Sequence, residues 1–317
     1  MANASITTTY VGQRSLPYVA PAILAANSIA NNYVTVRQNV RFKANLTKVS
    51  GVAIQDASCT FATPSAGQLT MADVVLVTEQ FKVNEQICNK DLREAWEAEN
   101  MRGAKSAAPA ELQRFVAQWV AARTAESVEK NLWSGDYNHT DGSTTGTGVP
   151  TVFGGLMSKI VAGTPAKETL VAGAFTADDD ATTGILTHLN TLVTTGSPDA
   201  IKGDYDNTKI YMSRAAYNLY FNALSSTYNL PFLSENNPKT YLGYEIIVPT
   251  GMPDDTLLMS RIDNLYFGTD LLTDHTQAIF LNMLEQTGED STRAILQFSA
   301  GTQLVDLDSI GVVRRSS

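Results

Sequence analysis

The feature that most constrains the fold is the stretch from Pro109 to Trp133, which contains no proline or glycine after its first residue. A proline suits the first turn of a helix, where its missing N–H costs nothing, and Gly135 ends the pattern. Apolar residues recur at steps of three and four, which predicts one buried helix face: Leu112, Phe115, Val116, Trp119, Val120, Val128 and Leu132. The polar face is expected to carry Gln113, Arg114, Gln118, Arg123, Glu126, Glu129 and Lys130. Such a helix would be about 37 Å long, so much of the chain must pack along it.

Composition excludes several classes of protein. With 317 residues, of which 44% are hydrophobic and 17% charged, the chain is globular and long enough for one large or two ordinary domains. Its formal charge of −9 argues against a simple basic nucleic-acid binder. No apolar run reaches the roughly 18 residues of a membrane span, and the N-terminus lacks the pattern of a signal peptide. Cys59 and Cys88 are expected to be free thiols.

Two extended segments are predicted before the helix. Residues 1–40 are poor in charge, and we expect an N-terminal arm that lies on a neighbouring surface rather than in a core; a frayed terminus explains the composition equally well. Strand-like pieces separated by Gly51, Pro64 and Gly67 follow, with little apolar bulk. Because such strands cannot bury themselves alone, residues 41–80 are predicted to form an extended β-hairpin loop, with 49–69 packed on a partner.

Later segments alternate between strands and helices. A strand at Phe81–Ile87 and a short helix at Leu92–Met101 precede the long helix, and residues 150–262 indicate an α/β region. A helix is expected at Ala181–Thr194, and another is expected to be capped by Ser213. Further strands are predicted at Lys209–Met212, Tyr244–Val248, Thr256–Met259, Ala278–Leu284 and Arg293–Phe298, the last two paired across a turn.

No pattern of catalytic, cofactor-binding or metal-binding residues is found, so the chain is predicted not to be an enzyme and no site residues are assigned. The three histidines are far apart in the sequence: His139, His188 and His275. The glycines at 142, 146 and 148 lack the Lys-Ser/Thr of a phosphate loop and favour a flexible connector. Asp178, Asp179 and Asp180 could bind calcium, but negative charge at a helix start is the commoner explanation. Scattered carboxylates such as Glu85 and Asp91 could still meet as an acid–base pair.

The order of these elements resembles the major capsid proteins of tailed bacteriophages, which have the Hong Kong 97 fold. The similarity rests on short segments in the same order: Leu76–Val83, Ile87–Leu92, Glu129–Gly135, Gly154–Leu156, Lys209–Tyr217, Tyr241–Val248, Met252–Pro253 and Asn264–Asp270. The resemblance implies an α+β, Hong Kong 97-like capsid fold. Its expected parts are an N-terminal arm (1–40), an extended hairpin loop (41–80), a peripheral domain (81–149 and 270–300) with a spine helix (109–133), and an axial α/β domain (150–269 and 301–317).

The same resemblance implies a structural protein that self-assembles as pentamers and hexamers into an icosahedral or prolate head around double-stranded DNA. It would be found in the virion after assembly in the cytoplasm of the bacterial host. Scaffolding, portal and decoration proteins are expected partners, with non-specific contact to the packaged DNA and none to a membrane. Some family members crosslink a hairpin lysine, but nothing marks Lys43 or Lys48 for this chemistry.

Two other functions remain open from the sequence. An encapsulin-type compartment shell has the same fold, and a stand-alone α/β enzyme could use the acidic residues 178–180. The charge of −9 on every copy also predicts that added salt favours closure of a shell, because salt screens repulsion between like charges.

Overall fold

A computed structural model describes most of the chain, and it shows a mixed α+β protein. The described residues are 7–11, 26–50, 70–88, 110–137, 152–177, 183–228, 239–270, 277–283 and 287–316. Several predicted features therefore lie outside them: the hairpin tip at 51–69, the helix at 92–101, the glycine loop at 142–148 and the acidic residues 178–180.

The described residues form fourteen strands and five α-helices. The strands are β1 (Thr7–Val11), β2 (Thr35–Arg37), β3 (Lys43–Ser50), β4 (Thr70–Val77), β5 (Glu79–Cys88), β6 (Lys167–Val171), β7 (Thr208–Met212), β8 (Thr240–Tyr241), β9 (Tyr244–Ile247), β10 (Thr256–Arg261), β11 (Leu265–Thr269), β12 (Gln277–Asn282), β13 (Ser291–Leu304) and β14 (Gly311–Arg315). The helices are α1 (Asn27–Ala30), α2 (Ala110–Ser134), α3 (Leu156–Gly163), α4 (Ile185–Thr194) and α5 (Arg214–Tyr228).

Two six-stranded sheets carry the fold. Sheet A has the order β1-β12-β13-β11-β2, and β5 also pairs with β13. Its longest strand, β13, pairs antiparallel with β5, β12 and β11, so it joins segments from the first and last thirds of the chain. Sheet B has the order β6-β14-β10-β7-β9-β8, and β3 and β4 form a separate two-stranded hairpin.

Sheet B is buried on both faces, because successive residues of its central strands enter different cores. Ile210 and Met212 of β7 pack with helices α4 and α5, whereas Tyr211 between them packs against the core that contains α2 and α3. The same alternation places Leu257 and Leu258 of β10 in different cores. This burial on both faces explains why β7 and β10 each contain three consecutive apolar residues, Ile210–Met212 and Leu257–Met259, rather than an alternation of apolar and polar residues.

The long helix is confirmed, but the side chain predicted to anchor it is not buried. Helix α2 covers Ala110–Ser134, and its buried row within the described side chains follows steps of four: Val120, Thr124, Val128 and Leu132. Trp119 is 39% exposed, and the Arg123 guanidinium lies 5.7 Å from its ring centroid. The prediction of a buried Trp119 is therefore wrong. Trp119 lies about 100° around the helix from Val120, on the edge of the buried face.

Trp133 is the fully buried tryptophan of this helix, and its indole N–H forms a hydrogen bond with Ser28 in the N-terminal segment. Its Nε1 donates to Ser28 Oγ at 2.7 Å, and Ser28 donates from its backbone N and its Oγ to the Glu129 carboxylate at 2.9 and 2.6 Å. Glu129 was expected on the polar face of the helix, but it is only 4% exposed. Because Ala26 at the N-cap of α1 has no capping side chain, Glu129 satisfies a helix N–H that would otherwise lack a partner.

Part of the expected N-terminal arm therefore lies in the core, which corrects that prediction. Ala26, Ile29 and Val34 are buried in the core formed with α2, and the Tyr211 hydroxyl donates to the Tyr33 carbonyl at 2.9 Å. Burial raises the pKa of Tyr211, so this donor stays protonated. The scarcity of charge that suggested an arm is also what a segment buried against a helix requires.

Much of the later half agrees with the sequence patterns. The backbone N of Ala216 donates to Ser213 Oγ at 3.1 Å, which confirms the predicted cap of α5. Strands β12 and β13 pair antiparallel as expected, and Cys88 is a free, exposed thiol. No described helix is long and apolar enough to cross a membrane. The domain boundaries stay a prediction; β11, placed in the axial range 150–269, pairs with β13 in sheet A.

We expect Trp133→Ala to lower the free energy of unfolding by about 3–5 kcal/mol, because it leaves a cavity and removes the donor to Ser28. Trp119→Ala, the control on the same helix, should cost less than about 1 kcal/mol, because that ring is 39% exposed at the edge of the buried face and its removal leaves no enclosed cavity. Denaturant unfolding followed by circular dichroism measures both. Equal losses in the two variants would contradict the observed orientation of the helix.

Candidate assembly surface

The β3–β4 hairpin has one face toward the protein and one toward solvent. Its strands pair from Lys43↔Val77 to Ser50↔Thr70, so alternate residues point to opposite faces. On the inner face, Leu46 and Leu76 are buried with Val40 in a small separate cluster. The outer face carries four apolar side chains that are 37–65% exposed: Val49, Met71, Val75 and Val77.

So many exposed apolar side chains on one hairpin are unusual for a monomeric protein. Val49 and Met71 are cross-strand partners, so their exposed side chains form one apolar pair. Phe42, immediately before β3, is 63% exposed. A two-stranded hairpin gains little stability by itself, and an exposed apolar strip commonly marks an interaction site. The hairpin is therefore the strongest candidate for an assembly surface within the described residues.

Two glycines let the base of the hairpin lie directly on sheet A. Gly268 in β11 and Gly301 in β13 are cross-strand partners. A Cβ added at Gly301 would lie 2.1 Å from the Val77 carbonyl oxygen, and one at Gly268 would lie 2.8 Å from the Leu76 side chain. At Gly301 the obstacle is backbone that cannot move aside, so this crossing requires glycine in β13, whereas at Gly268 a side chain would have to displace the end of Leu76.

Hydrogen bonds fix the hairpin at the same crossing. The backbone N of Thr78 donates to the Phe42 carbonyl at 3.0 Å, and its Oγ1 donates to the Val40 carbonyl at 3.2 Å. From β13, Gln303 Nε2 donates to the Val75 carbonyl at 2.9 Å. Both strands of the hairpin are thus attached near their ends that adjoin the sheet.

An ion pair makes a second attachment farther along the hairpin. Lys48 Nζ lies 2.5 Å from Asp306 Oδ1 and 3.1 Å from Asp308 Oδ2, in the loop after β13. The hydrogen bond to Asp306 raises the pKa of Lys48. Burial alone would raise the pKa of Asp306, but its hydrogen bonds from Lys48 and Ser309 lower it overall. Lys48 therefore stays a protonated ion-pair donor rather than a free amine nucleophile.

A cavity of about 390 Å³ lies between the two attachments, under the hairpin. Its lining includes Lys48 and Val74 of the hairpin, Lys159 of α3, and Gln303 of β13. Lys159 Nζ is 3.4 Å from Gln303 Oε1, and burial lowers the pKa of Lys159. Four charged groups line the cavity, two lysines and two aspartates, so their formal charges cancel.

Among the described residues, the histidines and carboxylates that the sequence offers for metal binding or catalysis do not come together near the hairpin. Within the described part of the chain, no group of three His, Cys, Asp or Glu side chains could hold a metal ion. His188 is buried in α4 with its ring centroid 4.9 Å from that of Phe175, as expected of a packed side chain. Glu85 lies exposed on β5, while Asp91, His139 and His275 lie outside the described residues.

Sequence reasoning missed the features that hold the hairpin. Gly268 and Gly301 each occur beside a threonine in a strand-like segment, which is a faint signal of close backbone approach. Nothing in the sequence pairs them with Val77, or pairs Lys48 with Asp306.

Gly301→Ala should lower the free energy of unfolding by about 1–3 kcal/mol, because the new methyl group collides with the Val77 carbonyl and a backbone must move. Gly154→Ala is the control, since the nearest atom to its added Cβ is 3.6 Å away. Thermal unfolding compares the two. The hairpin should also become more sensitive to protease in Gly301→Ala alone; unchanged stability and cleavage would show that the crossing is not tight.

Comparison with protein-family models finds no match, and neither does comparison with curated proteins. Solved structures do match. A chain from the satellite phage P4 procapsid, which includes the size determination protein, is 11% identical with a TM-score of 0.57; the match covers 90% of this chain and 94% of that one. A chain from the capsid of a native GTA particle is 13% identical with a TM-score of 0.57, covering 94% and 91%. A chain from Mycobacterium phage Ogopogo is 10% identical with a TM-score of 0.56, covering 100% and 94%.

These similarities extend over almost the whole of both chains in each comparison. At 10–13% identity they establish the fold. The chain has the α+β fold of tailed-phage major capsid proteins, which confirms the resemblance found in the sequence.

Proposed function

We propose that this chain is the major capsid protein of a tailed phage, a structural protein that builds a shell from many copies of itself. The observation that carries the proposal is the match in fold to capsid structures over at least 90% of this chain in all three comparisons. The exposed apolar hairpin supports it independently, because such an arm needs a partner surface.

The assembly consists of pentamers and hexamers that close into an icosahedral or prolate head around double-stranded DNA. Rings close when head-to-tail contacts between identical subunits rotate into a cycle. Each contact is weak, but every subunit is held by several neighbours, so the shell gains from multivalency. The protein belongs to the virion, is assembled in the host cytoplasm and carries out no catalytic step.

The expected domain layout belongs to this proposal as well. Residues 41–80 are the extended hairpin loop, the peripheral domain comprises 81–149 and 270–300, and the axial domain comprises 150–269 and 301–317. Scaffolding, portal and decoration proteins are the expected partners, and contact with DNA is non-specific. Among the described residues, the exposed apolar side chains of the hairpin favour a contact between shell subunits over a small-molecule site.

Electron microscopy and light scattering of the purified full-length protein test the proposal. We expect closed particles or capsomer-sized rings, formed alone or with the other head proteins of the phage. Native particles that contain DNA and a portal indicate a phage head, whereas particles around a cargo protein indicate an encapsulin-type compartment. Monomers or small oligomers under all these conditions would refute a shell function.

A second prediction concerns the outer face of the hairpin, which we assign to contact with another copy. Met71→Glu should abolish closed particles while leaving circular dichroism and the unfolding midpoint unchanged, because its side chain is 65% exposed and makes no core contact. Leu170→Glu, at a 53% exposed position on β6, is the control and should still assemble. Deletion of residues 49–69 should likewise leave a folded subunit without shells. Normal assembly of Met71→Glu would exclude this face as a contact.

A further inference from the structure

The charges of this chain are divided sharply along the sequence. Of 23 Lys and Arg residues, five precede residue 56, whereas all 32 Asp and Glu residues follow residue 55. The first 55 residues therefore carry a formal charge of +5 and the remaining 262 carry −14. Such asymmetry predicts that the basic part contacts an acidic or phosphate-bearing surface.

Three of these five basic residues form an exposed cluster at the base of the hairpin. Arg37 ends β2, Arg41 follows it, and Lys43 begins β3; all three side chains are exposed. We call them the basic strip. Phe42 lies among them, with Lys43 Nζ 4.9 Å from its ring centroid.

Within the described residues, the basic strip has no ion-pair partner. No described carboxylate lies within ion-pair distance of Arg37, Arg41 or Lys43. Lys48, the next basic residue, differs because Asp306 and Asp308 near the C-terminus bind it. Within one subunit, the ion pair of Lys48 thus already joins the basic first segment to the acidic remainder of the chain.

We propose that the basic strip binds an acidic surface on a second copy of this chain. This inference rests on the proposed shell function and identifies a residue-level contact within it. The second copy supplies the complementary charge, because everything after residue 55 carries −14. Exposed carboxylates that form no ion pair with a described residue include Glu85, Asp206 and Asp254.

The surroundings of the strip favour a protein over a nucleic acid. Phe42 is 63% exposed, and Lys43 pairs across the hairpin with Val77, which is 37% exposed. The strip therefore adjoins the exposed apolar side chains of Val75 and Val77 on the outer face of the hairpin. A phosphate backbone offers no apolar partner for these side chains, whereas a protein interface combines an apolar centre with charged groups at its rim.

This contact has a consequence for salt that opposes the expectation from net charge. Repulsion between copies that each carry −9 predicts easier assembly as salt rises. Attraction between the basic strip and an acidic surface predicts harder assembly as salt rises, since rim charges speed association mainly at low ionic strength. The contact also joins two different surfaces, as a head-to-tail ring requires.

The test reverses the three charges in the full-length protein. The strip variant carries Arg37→Glu, Arg41→Glu and Lys43→Glu. The control carries Lys130→Glu, Lys167→Glu and Lys239→Glu, three exposed positions outside the strip that change the net charge equally. Circular dichroism verifies that both fold, and light scattering gives the protein concentration needed for assembly between 0.05 and 0.5 M NaCl, about the range over which screening changes most.

We expect the strip variant to need about tenfold more protein than the wild type at low salt, and the control less than about twofold more. The wild type should need more protein as salt rises, and the strip variant should lose most of this dependence. Equal defects in both variants, or easier wild-type assembly in high salt, would overturn the proposal in favour of net charge. A strip variant that assembles normally but retains less DNA would assign the strip to phosphate instead. A wild type that never assembles would refute the shell function itself.

Discussion

The rest of the structure depends on the contact between the base of the hairpin and the backbone of β13 at Gly301. Strand β13 pairs with β5, β12 and β11. A segment that packs on β13 is therefore held in a fixed position relative to the whole of sheet A. The Val77 carbonyl can approach β13 only because Gly301 has no side chain, and its cross-strand partner Gly268 leaves room for the Leu76 side chain. The direction in which the hairpin leaves the protein is therefore set by backbone geometry, and the ion pair of Lys48 adds to it.

A second constraint joins the beginning of the chain to the long helix. Glu129 is buried with its carboxylate bound to Ser28, and Trp133 donates to the same serine. Removing any one of these groups leaves buried polar atoms without partners, which costs more than the bond itself contributes. Residues 26–36 thus pack in or against the core, and residues 7–11 pair with β12 as a strand of sheet A.

The sequence predicts the elements better than it predicts their contacts. Helix α2 was identified because its periodicity is local, and its observed limits differ from the predicted ones by one residue at each end. The sequence pattern predicts the wrong faces for Trp119 and Glu129, because the polarity of a side chain does not show which distant segment packs against it. Ser28, for example, supplies the hydrogen bonds that let Glu129 be buried. Ser28 lies 101 residues from Glu129, and Asp306 lies 258 residues from Lys48, so no local pattern could join them. The fold was nevertheless recognisable from the order of its segments.

The hairpin is also a mechanical element. It is fixed at its base by the contact with Gly301 and again at Lys48, and its inner face packs on the protein through Leu46 and Leu76, beside the cavity lined by Lys48. A force on the outer part of the hairpin is therefore transmitted to β13 at Gly301 and to the ion pairs of Lys48 with Asp306 and Asp308. Strain imposed on the hairpin is thereby carried both into the central strand of sheet A and into the loop that follows it.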